Sequence, residues 1–501
     1  MTRASRTISF LLITPVLLLA TIANAQTATS PLEKLPYSGG VLMSRAIRDG
    51  RVHLSGNPFL SPELAPSETC TPAPCVLPNL NIQPSSNPVN ETPVVVNPKN
   101  RKQLLAGAND YNCPNTQGFY NSNDGGTTWS HFCMQNISSI GPGAGDPGVG
   151  YDLKGNAYIT GIDFTQPSGP SGIIFQKSSN NGTTWSAPKQ AVAPLLGGLT
   201  DKSWLQIDTT PTSRWPNWLY ISVTQFASNN NSTISVSHSS NGGTTWKTVA
   251  VDNTQTFPVI DQFSDIAIGA TGTVYVTWMR CTANGAAGDC AGTKAAMLIS
   301  VSNDGGNTWS KPATIATATL TPDPNSCCFY GALPVTTNER VSNIPVIGVD
   351  NSAGAHKGNL YVAYYKWTGT QMKMMVATST NGGTTWTSKP VAPASAKGDQ
   401  FFQWLNVSSK GVVGASWDDR RDDATDTNYE SFAAFSTNGG ASFSKNINLS
   451  AMPSNPNNDG FGGFFLGDYT GNYWSGANTL YVTYTDTSTG VDQDFLGGYI
   501  R

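Results

Sequence analysis

The densest charge in the chain lies in "WDDRRDDATDTNYE" (417–430), where Asp418, Asp419, Asp422 and Asp423 bracket Arg420 and Arg421. Crowded carboxylates have raised and split pKa values, which suits general acid–base work, and they also suit a hard cation such as Ca²⁺. A second set of acids recurs along the chain at Glu91, Asp146, Asp201, Asp261, Asp399 and Asp468, with Asn343 in the equivalent place of one further unit. Each opens an extended, strand-like run. Asp110, Asp163, Arg280, Asp418, Asp419, Arg420 and Asp486 fall at the ends of the runs that follow. Two readings compete for these acids. They could form a ring that does chemistry, or each could accept hydrogen bonds from backbone N–H groups of the neighbouring unit. Repetition favours the second for any single ring member, because a catalytic site needs asymmetry.

Function is therefore expected in what does not repeat. Three segments qualify: "RCTANGAAGDC" (280–290), "TPDPNSCCFYGALPVTTNER" (321–340) and the charged stretch 417–430. The expected catalytic pair is Asp418 or Asp419 with a facing ring acid, Asp146 or Asp201. One would protonate a leaving oxygen and the other would activate water or attack carbon. Arg280, Arg340 and Arg420 could grip a carboxylate or sulfate with forked hydrogen bonds. Trp204, Trp367 and Trp404 could stack on sugar rings. No metal-ligand set can be assigned, no cofactor is required, and Ca²⁺ would fit the 417–430 loop, whose bland reading is an internally salt-bridged turn.

The elements that must position these residues are legible from a repeat. Six segments obey Ser-x-Asp/Asn-x-Gly-x-Thr/Ser-Trp/Phe: 122–129, 178–185, 239–246, 302–309, 379–386 and 436–443. Their starts are 56, 61, 63, 77 and 57 residues apart. A period near 60 signals stacked or radially repeated units. Each copy follows an alternating run such as "TISVSHS" and precedes another extended stretch, so each is a hairpin turn with Gly at a positive-φ position. Before each copy lies a further run, "LLAGAND", "AYITGIDF", "LYISVTQF", "VYVTWMR", "LYVAYYKW" and "VVGASWDDR", and a seventh, "LYVTYTDT", has no turn motif after it.

These six turn segments resemble the Asp-box (BNR) repeats of the sialidase-like β-propellers. The resemblance implies an all-β propeller of four-stranded blades over residues 91–501, seven by count, with a six-bladed ring plus a hairpin as the alternative. The last unit lacks its outer strand, which "GGVLMSRAI" (39–47) could supply. In such a propeller the Asp boxes and the ring acids lie at opposite ends of the blades, so the acids would surround a mouth. Family sialidases use an arginine triad, a Tyr–Glu pair and an acid/base Asp. Here the stretch comparable to the first arginine motif is "NETP" (90–93), so Glu91 stands in an arginine's place and would repel a substrate carboxylate. Sialidase activity is not expected. The resemblance instead suggests a glycoside hydrolase of another specificity, with a non-catalytic recognition propeller as the second reading and a polysaccharide lyase as the third.

The rest of the chain bounds this reading. Residues 1–25 carry Arg3 and Arg6, an apolar run and "ANA", the pattern of a cleavable export signal ending near Ala25–Gln26, and residues 26–90 read as a Pro/Ser-rich leader. The expected location is secreted or periplasmic, and the expected partner is an extracellular carbohydrate or glycoconjugate met by a monomer. A net charge of −3, with only 12% charged residues, argues against nucleic acid as a partner. Eight cysteines suit export, with Cys70–Cys75, Cys113–Cys133 and Cys281–Cys290 close enough to pair and Cys327–Cys328 adjacent. The four histidines are placed in the leader, beside turn motifs or in turns away from the mouth, which argues against a Ser-His-Asp hydrolase and a His-ligated metal.

Overall fold

The structure is a computed structural model and describes residues 30–54, 74–76, 79–82, 87–137, 145–164, 170–285, 288–335 and 338–488, with the backbone alone of 494–500. The expected export signal, Cys70 and part of "GPGAGDPG" lie outside the described residues. The alternating runs form antiparallel four-stranded sheets arranged as a β-propeller. Among the described residues the strands pair into seven sheets, in which the chain moves from an inner strand outward through hairpins. The first sheet has a fifth short strand, Val89–Asn90, and the last takes its outer strand from elsewhere. The inner strands are Val94–Val96, Gly148–Tyr151, Leu199–Ile207, Val259–Ile268, Val346–Val349, Gln400–Val407 and Gly471–Ser475. Each lies beside the next, and Gly471–Ser475 lies beside Val94–Val96.

The last sheet takes its outer strand from the leader, but not from the stretch expected. Leu80–Asn81 pairs with Asp494–Ile500 (Leu80 opposite Gly497). "GGVLMSRAI" instead forms a helix, Gly39–Arg48, capped by the Ser38 side chain, which accepts from the Val41 amide. Three successive apolar residues, Val41, Leu42 and Met43, are buried together with Ala46. That pattern has no two-residue alternation, and Arg45 and Arg48 sit in the last turn, where cations suit the helix dipole.

The six repeated segments make one hydrogen-bonded turn. In the first, Ser122 Oγ donates to Asp124 Oδ1 (2.8 Å), the Gly126 amide donates to Ser122 Oγ (2.8 Å) and the Thr128 amide donates to Asp124 Oδ1 (2.9 Å). The Ser–Asx and Gly–Ser bonds recur in all six. These side chains are spent on their own backbone, at the end of the blades opposite the ring acids. Local disulfides join Cys113–Cys133 and Cys281–Cys290, as spacing suggested, and the adjacent Cys327 and Cys328, whose pairing the sequence left open, bond to each other. Among the described residues no helix is long and apolar enough to cross a membrane.

Candidate functional site

The inner strands reach the mouth through a repeated kink. Glu91, Asp146, Lys202, Phe263 and Phe402 all have positive φ, between +49° and +64°. In three sheets the pairing register shifts there, between Asp201 and Trp204, Gln262 and Asp265, and Phe401 and Trp404. Such bulges re-aim side chains at sheet ends, and non-glycine residues hold positive φ only where the surroundings enforce it. The kinks turn the acids toward backbone of the adjoining sheets. Glu91 Oε1 accepts from the Asp468 amide (3.1 Å), Asp146 Oδ2 from the Lys202 amide (2.9 Å) and Asp399 Oδ1 from the Met372 amide (2.7 Å). One carboxylate oxygen of each of these acids thus accepts from backbone of a neighbouring sheet, the contact expected of a scaffold group.

Four ring acids nevertheless converge on the axis. Glu91, Asp146, Asp201 and Asp468 are fully buried, and Lys202 and Tyr469 lie among them. Lys202 Nζ sits 4.1 Å from the centre of the Tyr469 ring and 4.9 Å from that of Trp204. The Glu91 and Asp146 side chains hydrogen-bond to each other, and Lys202 Nζ makes no hydrogen bond. Burial, with repulsion from Asp468, pushes Glu91 up to about 7. Burial and the Glu91 and Asp201 charges push Asp146 well above the carboxylate range. Tyr469 is driven up by burial and by Glu91, Asp146 and Asp468, and its hydroxyl lies beside Glu91. Sequence reasoning missed Lys202 and Tyr469, although each directly follows a ring acid.

The expected catalytic pairing is not brought together. Asp146 and Asp201 lie at the axis, whereas Asp418 and Asp419 lie on the second strand of their sheet. Asp418 accepts from Ser431 Oγ (2.5 Å). Burial, with Asp419 and Asp486 nearby, pushes it up to about 8. Asp419 accepts from Trp417 Nε1 (2.7 Å) and pairs with Arg421. The 417–430 stretch is an internally bonded turn, with Asp423 accepting from the amides of Thr425, Thr427 and Asn428.

Nor are the arginines available to a substrate. Arg280 forks onto Asp261 (2.6 and 2.7 Å) and reaches Asp252 (2.6 Å). Arg340 forks onto Asp468 (2.9 and 3.1 Å). Arg420 is fully buried, 3.5 Å from Asp399 and against the Phe401 ring. Trp204 and Trp404 pack on each other (4.6 Å between ring centres) and on Tyr469, in the floor beneath the acids, and both line the axial channel below. Trp367, half-buried, ends the second strand of its own sheet. One histidine also departs from expectation: His131 Nε2 lies 2.9 Å from the buried ring-end acid Asp110.

What closes the mouth is the leader. The Ser38 amide donates to Asp201 Oδ2 (2.8 Å) and the Gly39 amide to Asp468 Oδ2 (2.6 Å). The Pro36 carbonyl accepts from Tyr330 Oη (2.8 Å) and Gln262 Nε2 (3.2 Å), and the Tyr37 carbonyl from Arg340 (3.4 Å). Lys34 pairs with Asp289 (2.5 Å) and Asp323 (2.7 Å). Two of the three non-repeating segments, 280–290 and 321–340, thus hold the leader in place.

Two groups of potential metal ligands occur among the described residues, Cys113–His131–Cys133 and Asp323–Cys327–Cys328. Their sulfurs are bonded in disulfides, so no thiolate is offered.

No protein-family model and no curated protein matches the chain. Similar solved structures include a Hadza microbial sialidase (TM-score 0.44, 12% identity, covering 79% of this chain and 73% of that one). The intramolecular trans-sialidase from Ruminococcus gnavus has a TM-score of 0.44 and 11% identity, over 66% of this chain and 90% of that one. The α-L-arabinanase from Penicillium chrysogenum has a TM-score of 0.42 and 12% identity, over 70% and 92%. At such scores these neighbours identify no activity for this chain.

Proposed function

We propose that the protein is an exported, carbohydrate-active propeller with a ring of seven blades, and a glycoside hydrolase other than a sialidase. The carboxyl pair is Glu91 and Asp146, in place of any pairing through Asp418 or Asp419. The observation that carries this reading is the axial cluster. Its acids do not all repeat a scaffold role, since Glu91 and Asp146 hydrogen-bond to each other through their side chains as well as to backbone. Their environments hold them above the usual range, so one can keep a proton at neutral pH while a neighbour is ionised. Sharing one proton, the pair would act as a coupled dyad, its protonated member donating to the glycosidic oxygen and its ionised member taking a proton from the attacking water, with Lys202 steadying the negative charge. Tyr469, Trp204 and Trp404 would form the apolar floor under the sugar. The chemistry needs no cofactor. Substrate reaches the cluster only when residues 36–39 leave the mouth.

The second reading, a non-catalytic recognition propeller, is supported by the fact that the mouth already grips a segment of chain. The discriminating experiment incubates the protein and its Glu91→Gln and Asp146→Asn variants with a pooled polysaccharide panel, and mass spectrometry follows new oligosaccharides. Products carrying one added water, lost in both variants, support the hydrolase. Unsaturated ends move the reading to a lyase. Release that persists in both variants assigns the chemistry elsewhere, and retention of a glycan with no release supports recognition.

A further inference from the structure

The contacts that hold the leader have a chemical pattern of their own. The hydrogen bonds from the mouth to residues 36–39 go mainly to main chain, in an order that follows chain polarity, while Tyr37 Oη also donates to Asn230 Oδ1 (3.1 Å) and the Ser38 side chain also bonds to Asp201. Two carbonyls, of Pro36 and Tyr37, meet the donors Tyr330, Gln262 and Arg340. Two amides, of Ser38 and Gly39, then meet the acceptors Asp201 and Asp468. All five side chains are buried. Side-chain selection is added at three points. A Cβ at Gly39 would lie 2.0 Å from Phe465 Cε2, so only glycine fits. The Tyr37 ring packs edge-on against Phe226 (5.1 Å), and Lys34 meets two carboxylates.

The propeller does not depend on this segment for closure. The last sheet is completed by Leu80–Asn81, well beyond the helix, and the inner strands adjoin one another around the axis. The donors and acceptors that meet residues 36–39 thus belong to the blades and their insertions and not to the leader itself.

We infer that the mouth is a peptide-binding site, that residues Lys34–Arg48 are its built-in ligand, and that the vacated mouth takes in trans a peptide of the same chemistry. That chemistry is a basic residue, then Pro, an aromatic, a small residue and Gly leading into a helix. The inference stands apart from the hydrolase reading, because its test involves no sugar.

The test uses the full chain with Gly39→Val, which cannot seat its own segment, and a fluorescent peptide spanning 34–48, read by anisotropy. The peptide should bind this variant at least about tenfold more tightly than it binds the unaltered protein, whose mouth is filled. Adding Asp201→Asn and Asp468→Asn should weaken that binding by about tenfold or more. A variant with unchanged circular dichroism that binds the peptide no better than a scrambled control overturns the proposal. If Gly39→Val does not fold, hydrogen exchange on the unaltered chain decides. The Ser38 and Gly39 amides should exchange well before those of Ile221 and Val223 in an adjoining sheet. Exchange of all four at one rate means the segment leaves only on global unfolding, and the proposal fails.

Discussion

Replacing Arg340 by Met asks how much of the mouth's stability rests on one buried ion pair. The Arg340 side chain is 7% exposed and the Asp468 side chain 0%. Its loss leaves Asp468 without a cation, and breaking a buried pair by removing one partner costs about 3–5 kcal/mol. Asp468 keeps Ser342 Oγ (2.6 Å) and the Gly39 amide (2.6 Å), both of which solvate the stranded carboxylate. The expected loss is therefore at the low end, about 3 kcal/mol at neutral pH. The bonds from Arg340 to the Tyr37 carbonyl are long, 3.4 Å, and add little. Urea unfolding followed by tryptophan fluorescence measures the loss in Arg340→Met. The Asp468→Asn single variant and the double variant complete a cycle, and the pair should couple by about 2 kcal/mol or more. A loss below about 1 kcal/mol, the value for an exposed pair, would refute the reasoning that this contact is desolvated and holds the mouth together.

Two further outcomes follow from the same principles. The raised pKa of Asp418, about 8 when folded, means the native state keeps a proton that the unfolded chain releases near the ordinary carboxylate value. Stability from this group is full at acid pH and falls as pH rises from about 4 to 8. Asp418→Asn should remove about 1.4 kcal/mol per pH unit from that slope, measured by urea titrations at pH 5, 7 and 9, and parallel curves would contradict the assignment. Replacing Cys281 and Cys290 by Ser opens a loop of sequence separation 9, and chain entropy predicts a loss of about 2–3 kcal/mol in oxidising buffer. No difference from the unaltered chain under reducing conditions completes that expectation.

The fold was legible because its signals are local. A Ser-x-Asx-x-Gly turn satisfies its own backbone within eight residues, and the flanking runs alternate with the period of a half-buried strand. The ring acids were legible for the same reason, since each begins a run. Asp261 and Arg280 even stand directly opposite in the antiparallel register, so that pair could have been read from hairpin pairing. What escaped depends on contacts between distant parts of the chain. Asp418 lies one strand out from the axis, so it cannot face Asp146 although both sit at the same end of the blades. The leader helix carries two glycines at its start and few helix signals, and its placement is set by Asp201, Asp468, Tyr330 and Arg340. The latter two lie nearly 300 residues further along the chain. Without the leader's position, Arg340, which lies between Asp468 and the Tyr37 carbonyl, reads as a free substrate grip.

The central claim is that an acid pair at the axis does chemistry once the leader leaves the mouth. The most direct measurement compares polysaccharide hydrolysis by Gly39→Val with hydrolysis by Gly39→Val carrying Glu91→Gln, each confirmed as folded. The account predicts water-added oligosaccharides from the first, in excess over the unaltered chain, and none from the second. Equal hydrolysis by both would place the chemistry away from Glu91, and no hydrolysis by the open variant on any substrate would contradict the enzyme reading.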